Sequence, residues 1–190
     1  MKYILASASD RRKELLSRII EEFEIIVSDF DEDSIKFEDN VNEYVQKLSI
    51  GKANSVKSSF PEKQGIIISA DTIVVIDECI LGKPKEEKDA FNMIKKLSGR
   101  EHEVYSAVTV MNTITGFIET KSLSTKVYFS DLKDSEITNY ISKGESLDKA
   151  GAYGIQGFGG VLIEKIDGCY YNVMGLPLNM LDKMLKKAIQ

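Results

Sequence analysis

Hydrophobic and polar positions follow two different periods along this chain, and together they predict a mixed α/β fold. Apolar runs typical of strands cover residues 3–6, 23–27, 66–76, 79–81, 105–111 and 117–129. Apolar residues at helical spacing predict one helix from Lys13 onward, through Leu15, Leu16, Ile19 and Ile20, and a last one opened by Pro177. Three more are predicted over residues 41–58, with Val41, Val45, Leu48 and Val56 on one stripe, over 89–97, ended by Gly99, and over 135–142. Residues 161–173 resemble a hairpin that turns at Asp167 and Gly168. We therefore expect a long, twisted, partly antiparallel sheet with helices packed on it.

Composition narrows the class of protein. The chain has 190 residues, 43% of them hydrophobic, enough for one domain or two tightly joined lobes. Its net charge of −5 argues against a non-specific nucleic-acid binder but leaves room for a small anion in a local positive pocket. Two cysteines, Cys79 and Cys169, are too few for a disulfide framework and lack metal-ligand spacing. With no signal peptide pattern and no apolar run of membrane-spanning length, we expect a cytoplasmic protein without a membrane partner.

The segment Ser7-Ala-Ser9-Asp10-Arg11-Arg12 joins the first strand to the first helix. Backbone N–H groups at a helix start attract anions, and arginine adds bidentate hydrogen bonds suited to phosphate oxygens. The alternative is a serine N-cap followed by solvated arginines. Because paired arginines at a helix start oppose the helix dipole, the segment favours an anionic ligand.

Asp71 and Thr72 interrupt the apolar run 66–76. A carboxylate in such a run loses hydration and needs a cation, a metal or several hydrogen bonds. It can bind a divalent ion, deprotonate a water, or do both. The alternative is an aspartate that caps a turn between two strands. Glu32, in an acidic cluster, is either part of a solvated loop or a second metal ligand beside Asp71.

Two lysines and a glycine-rich loop supply further candidates. Lys52 falls on the apolar stripe of the helix over 41–58, where it either snorkels to solvent or points into a pocket. Lys83 sits in a rigid Gly-Lys-Pro turn. Gln156 lies among closely spaced glycines and can pair with a nucleobase edge through its amide, although the same loop is also consistent with a flexible connector. The single histidine, His102, has no second histidine for a metal set and is expected to be structural.

Six ordered motifs carry a resemblance that spans nearly the whole chain. They are Leu5-Ala-Ser-Ala-Ser-Asp-Arg-Arg12, Ala70-Asp71-Thr72, Gly82-Lys83-Pro84, Leu97-Ser-Gly-Arg100, Lys149-Ala-Gly-Ala-Tyr-Gly-Ile-Gln-Gly157 and Asn172-Val-Met-Gly-Leu-Pro177. In these motifs the chain resembles the Maf family of nucleoside triphosphate pyrophosphatases. One departure is Asp10, where the family usually has proline; both residues favour helix initiation.

The resemblance implies a single domain over 1–190, with an elongated two-lobed α/β fold and a central cleft like that of inosine triphosphate pyrophosphatases. It implies metal-dependent hydrolysis of dTTP and UTP between the α- and β-phosphates in nucleotide housekeeping, and a homodimer. The implied roles are proton acceptor for Asp71, and pyrimidine selection for Arg11, Thr72 and Gln156. The family's phosphate-binding positions correspond to Ser7, Arg12, Lys52 and Lys83, and its Mg²⁺ or Mn²⁺ ligands to Asp71 and Glu32.

The chemistry of these residues agrees with such an enzyme. A triphosphate brings about four negative charges, which gives the lysines and arginines an electrostatic task. No cysteine or serine is paired with a base as a covalent nucleophile requires. The competing hypothesis is a nucleotide-binding regulator of septum formation without essential catalysis. A regulator does not need an aspartate within an apolar strand, so Asp71 favours the enzyme.

Overall fold

The computed structural model describes residues 1–59 and 64–190. Within those residues it contains seven strands: β1 (Tyr3–Leu5), β2 (Glu24–Ile25), β3 (Ile66–Ile76), β4 (Cys79–Leu81), β5 (Glu101–Asn112), β6 (Ile118–Phe129) and β7 (Ile163–Asp167). The helices are α1 (Asp10–Leu16), α2 (Val41–Ser59), α3 (Glu87–Leu97), α4 (Asp134–Ile141), α5 (Tyr170–Met174) and α6 (Leu178–Ala188). Three short 3₁₀ turns cover Glu32–Ser34, Ala150–Ala152 and Phe158–Leu162.

The strands form one mixed sheet in the order β2-β1-β3-β5-β6-β7, with β4 paired to β3. β1 runs parallel to both β2 and β3, whereas β3–β4 and β6–β7 are antiparallel pairs. The predicted α/β class and the mixed sheet are therefore confirmed.

The chain divides into two compact units. The first unit comprises Met1–Asp71, Ser106–Leu123 and Gly175–Gln190, and the second comprises Thr72–Tyr105 and Ser124–Met174. Asp71 is thus the last residue of the segment Met1–Asp71 in the first unit, and Thr72 is the first residue of the segment Thr72–Tyr105 in the second.

The first unit has its own core, to which α2 contributes its apolar stripe. Of the four predicted positions, Val45, Leu48 and Val56 are buried on that helix, whereas Val41 at its start is half-buried. Val56, together with Ala53 of the same helix, belongs to a cluster that also contains Ile4, Ala6, Ile26, Ile67 and Met111. This packing fixes which face of α2 points at the sheet, and with it the direction of Lys52.

The second unit has a separate core built by α3, α4 and the strands beside them. Its buried members include Val74, Ile94, Val127, Ile137 and Tyr153. Helix α3 ends as predicted at a glycine, because Gly99 adopts a φ of 69° that favours glycine.

Buried His102 belongs to the second unit. It packs edge-on to the rings of Phe129 and Tyr153, and its Nε2 lies 2.7 Å from the Tyr153 hydroxyl. Desolvation lowers the pKa of His102 to about 4, so the imidazole is neutral at physiological pH. These contacts agree with the structural role expected for the histidine.

Two predicted elements are wrong. Helix α1 ends at Leu16 instead of continuing to Ile20, and the N–H groups of Arg18 and Ile19 donate to carbonyls three residues earlier, which tightens the turn. Residues 161–173 do not form a hairpin either. β7 pairs with β6, and the chain then enters helix α5 because the Asn172 and Val173 amides donate to the Cys169 carbonyl.

Among the described residues, no helix combines the length and the apolarity needed to cross a bilayer.

Candidate active site

A lysine and two carboxylates form the centre of the candidate site. The Lys52 ammonium donates a hydrogen bond to Oδ1 of Asp71 and lies 2.9 Å from Oε1 of Glu32. The Asp71 side chain is only 8% exposed and that of Lys52 14%, whereas that of Glu32 is 56% exposed. Lys52 therefore does not snorkel to solvent: its ammonium points at the buried carboxylate of Asp71.

Asp71 lies inside a continuous strand, so it does not cap a turn. β3 runs unbroken from Ile66 to Ile76 and is buried at nearly every position. Removing a carboxylate from water in such a strand requires a compensating cation. Lys52 supplies that positive charge.

Buried hydroxyl groups fix α2 against β3 beside this ion pair. The Ser69 hydroxyl donates to the Ser49 carbonyl over 2.7 Å, and the Ser49 hydroxyl lies 2.9 Å from that of Thr109. Ser69 and Asp71 are two residues apart on one face of the strand, and Ser49 and Lys52 are one turn apart on the helix. The hydroxyl contacts thereby set the register in which lysine meets aspartate.

Arg12 is anchored in the same unit by groups from both ends of the chain. Its Nε donates to the Gly175 carbonyl over 2.9 Å, and its Nη1 lies 3.4 Å from the Ser7 hydroxyl. The Ser7 hydroxyl also accepts the Ser9 amide over 3.2 Å. Ser9 caps helix α1 through the Arg12 amide, so the serine cap proposed as an alternative coexists with an ordered arginine.

Electrostatic interactions link Arg12 to the two carboxylates. Partial burial lowers the pKa of Arg12, while the negative charge of Asp71 acts in the opposite direction. The positive charge of Arg11 lowers the pKa of Arg12 further, and Glu32 raises it. The first unit contains six of the predicted site residues: Ser7, Arg11, Arg12, Glu32, Lys52 and Asp71.

Tyr44, on α2, feels the charges of the two carboxylates and is not among the residues predicted from the sequence. Burial raises the pKa of its phenol, and the charges of Asp71 and Glu32 raise it further. Its hydroxyl therefore stays protonated in the field of both carboxylates. Tyr44 precedes Lys52 by eight residues on α2, so helical periodicity measured from Lys52 was the signal that could have identified it.

The remaining predicted residues lie in the second unit. Thr72 follows Asp71 directly on β3 and is half-buried. Lys83 is exposed after β4, and the preceding Gly82 carbonyl accepts the Gly151 amide over 3.1 Å. Gln156 is exposed in a turn of the glycine-rich segment, which is ordered by its own hydrogen bonds.

Asp71 and Glu32 fit the donor set of a hard divalent cation. Mg²⁺ is usually held by one or two carboxylates together with substrate phosphates and water. Both carboxylates contact the Lys52 ammonium, so one cation can be reached by both. Over residues 1–59 and 64–190 no three His, Cys, Asp or Glu side chains converge as a metal site, and a metal here would need ligands from the substrate.

A mixed α/β sheet that carries a buried carboxylate against a lysine, with an anchored arginine in the same unit, is typical of an enzyme that hydrolyses an anionic substrate. A family model described as Maf-like protein matches residues 2–188, so the chain belongs to the Maf-like family. A dTTP/UTP pyrophosphatase of Clostridium botulinum strain Eklund 17B is 59% identical over 189 residues, covering 100% of both chains.

Further similar proteins extend this comparison. A dTTP/UTP pyrophosphatase of Clostridium beijerinckii is 58% identical and covers 98% of this chain and 99% of its own. A solved nucleoside-triphosphatase, dITP/XTP pyrophosphatase from Mycobacterium abscessus, is 13% identical with a TM-score of 0.46, covering 99% of this chain and 94% of that chain. The family model and the two Clostridium relatives confirm the family expected from the six motifs.

Proposed function

We propose that this protein hydrolyses dTTP and UTP to the nucleoside monophosphate and pyrophosphate, with modified pyrimidine nucleotides as further substrates. The observation that carries the proposal is the Asp71 carboxylate, buried within a strand and held by Lys52. A protein that only bound nucleotide would need the cations but not this carboxylate. The names of relatives 58–59% identical over the whole chain support the same activity.

The positive side chains bind the triphosphate. Arg12 is held beside the Ser7 hydroxyl by the Gly175 carbonyl, so its guanidinium meets phosphate oxygens with little loss of conformational freedom. Lys52, whose ammonium is bonded to Asp71, neutralises phosphate charge next to that carboxylate in this proposal. Lys83 is exposed and adds a phosphate contact in this proposal.

Asp71 acts as the general base. Its carboxylate accepts a proton from the attacking water, whose oxygen forms a bond to the α-phosphorus. The bond from the α-phosphorus to the bridging oxygen breaks, and pyrophosphate leaves opposite the attack. Lys52 keeps the carboxylate oriented through its hydrogen bond to Oδ1.

Asp71 and Glu32 are the residues that would hold Mg²⁺ or Mn²⁺. When bound, such an ion neutralises phosphate charge and lowers the pKa of water. Glu32 is exposed on a short 3₁₀ turn, where Asp31 accepts the Asp33 amide over 3.1 Å. Its side chain is 56% exposed, so in this proposal it can reach a cation bound beside Asp71.

Thr72, Arg11 and Gln156 select the pyrimidine in this proposal. Thymine and uracil both present a ring N–H between two carbonyls, which one amide side chain reads with its acceptor and its donor. Cytosine replaces one carbonyl by an amino group and lacks that N–H, which leaves a polar group unpaired. Such a mismatch costs about 1–3 kcal/mol, or roughly 5- to 150-fold in kcat/KM.

The decisive experiment is a nucleotide panel assayed with the purified protein, with the products identified. We expect dTTP and UTP to give monophosphate and pyrophosphate with higher kcat/KM than dCTP or the purine triphosphates, and EDTA to abolish turnover. Stepwise release of orthophosphate from the γ-position would refute the reaction. Equal kcat/KM for dTTP, dCTP and dATP would refute the base selection alone.

Asp71→Asn separates the enzyme from a regulator. The amide preserves the shape of the side chain, so the variant should fold while turnover falls roughly 10²- to 10⁴-fold. The exposed strand residue Asp167 offers a matched control, and Asp167→Asn should retain wild-type activity. Wild-type turnover in Asp71→Asn with metal added would make Asp71 structural and favour the regulator of septum formation.

We further propose that the protein acts in the cytoplasm as a homodimer. Both cysteines are free thiols, which agrees with a reducing compartment. Light scattering of the purified chain tests the dimer, and a monomer mass at micromolar concentration would refute it.

A further inference from the structure

The segment over residues 154–160, called the Gln156 loop below, is a small closed loop with a narrow base. The Gly157 amide donates to the Gly154 carbonyl over 3.2 Å, and the Gly160 amide to the Gly157 carbonyl over 3.1 Å. At the base, a β-carbon on Gly159 would lie 2.7 Å from the Gly154 carbonyl oxygen. Only glycine allows the two ends to approach so closely, and Gln156 is carried near the tip.

Two side chains outside the loop hold its two ends. The Tyr140 hydroxyl, from the last turn of α4, accepts the Gly154 amide over 3.2 Å. Glu145 Oε1 accepts the Gly159 amide over 2.9 Å. Burial raises the pKa of the Tyr140 phenol and the negative charge of Glu145 raises it further, so the phenol stays protonated and the two anchors lie near each other.

The Glu145 carboxylate also packs directly against the loop. A β-carbon placed on Gly157, the residue after Gln156, would lie 2.2 Å from Glu145 Oε2. The backbone of Glu145 is fixed in turn, because its carbonyl accepts the Lys149 ammonium over 2.5 Å. Lys149 is itself almost buried and contacts Asp148 Oδ1 at 2.7 Å. Glu145 is therefore an ordered support.

We propose that Glu145 and Tyr140 are positioning residues for substrate selection, which hold the Gln156 loop in the conformation that presents the glutamine amide to the pyrimidine. The inference rests on the proposed function, in which Gln156 reads the base. Neither anchor touches the base. Their effect is to raise the fraction of nucleotide-free molecules in which the Gln156 loop already has the conformation that binds the pyrimidine.

The expected consequence is a loss of selectivity with little loss of chemistry. When only a fraction of the protein is competent to bind, the apparent dissociation constant rises by the inverse of that fraction. A correct base gains from the ordered loop, whereas an incorrect base gains little from it. Loss of an anchor therefore raises KM for dTTP and leaves kcat near its wild-type value.

The test compares kcat and KM for dTTP and dCTP in wild type, Glu145→Ala, Glu145→Gln and Tyr140→Phe. Glu164, exposed on β7, supplies the control Glu164→Ala. We expect the ratio of kcat/KM for dTTP over dCTP to fall roughly 5- to 50-fold in Glu145→Ala through KM. Glu145→Gln keeps an acceptor for the Gly159 amide and should recover most of the ratio, and Glu164→Ala should match wild type.

Amide hydrogen exchange of the nucleotide-free full chain gives a second readout that needs no catalysis. Residues 154–160 should exchange faster in Glu145→Ala and Tyr140→Phe, while α3 exchanges at the wild-type rate. The positioning role is overturned if the wild type prefers dTTP but Glu145→Ala changes neither the ratio of kcat/KM for dTTP over dCTP nor the amide exchange rate of the Gln156 loop. A wild type without selectivity would instead refute the proposed reading of the base, and the positioning role with it.

Discussion

Replacing Lys52 by methionine removes the cation that compensates Asp71 and tests the centre of the site. Methionine keeps most of the length and the apolar stem of lysine, so α2 retains its packing on β3. The change leaves a carboxylate that is 8% exposed without its ammonium partner. Glu32 loses the same partner, but it is 56% exposed and remains hydrated.

The two contacts differ in magnitude because their burial differs. Leaving a buried charge without its partner costs about 3–5 kcal/mol, whereas an exposed ion pair contributes about 0–1 kcal/mol. We therefore expect the free energy of unfolding to fall by about 3–5 kcal/mol in Lys52→Met, nearly all of it from Asp71. For a chain of this size each kcal/mol shifts Tm by about 2–4 °C, so Tm should fall by about 6–20 °C.

The assay is a double-mutant cycle measured by urea unfolding and thermal denaturation in EDTA. Asp71→Asn removes the buried charge and leaves Lys52 with Glu32, so it should cost less than Lys52→Met. The double variant contains neither charge and should be more stable than the sum of the single effects predicts, by about 0.5–3 kcal/mol.

Lys57 provides the control, because it is an exposed lysine on the same helix. Lys57→Met should stay within about 0.5 kcal/mol of wild type. Equal losses of Tm in Lys52→Met and Lys57→Met, or strict additivity in the cycle, would show that Lys52 does not compensate Asp71.

Three further outcomes are expected. The pKa of His102 is lowered from 6.5 to about 4, so between these pH values the unfolded chain binds a proton that the folded chain excludes. The free energy of unfolding should therefore fall by about 3 kcal/mol as pH drops from 6.5 to 4. Urea unfolding at a series of pH values should show this dependence in wild type, and His102→Gln should lose the contribution of the histidine. Asn172→Ala removes a buried amide that donates to the Val104 carbonyl over 2.9 Å and should cost about 1–3 kcal/mol, and a change in Tm below about 1 °C would contradict this. Gln156→Ala should narrow the kcat/KM gap between dTTP and dCTP more than it lowers kcat for dTTP, and steady-state kinetics that show a uniform loss on both substrates would argue against base reading.

Local periodicity accounts for most of the elements that were predicted correctly. The spacing of Val45, Leu48 and Val56 reports which face of a helix is apolar, and this property depends only on neighbouring residues. The same spacing places Lys52 on that face. The two failures have a similar origin, since the end of α1 and the start of α5 depend on backbone hydrogen bonds that apolar spacing does not report.

The order of the motifs and the pattern of apolar residues were enough to establish the α/β class, the family and the set of charged residues available for chemistry. Motif order is a property of the chain, so it could be read without a structure. Which residues meet was decided by tertiary structure. Lys52 reaches Asp71 because the Ser69 hydroxyl, bonded to the Ser49 carbonyl, sets the register of α2 on β3. Arg12 is anchored by a carbonyl 163 residues away. Contacts of this range depend on packing and strand order, which the period of a local pattern does not encode.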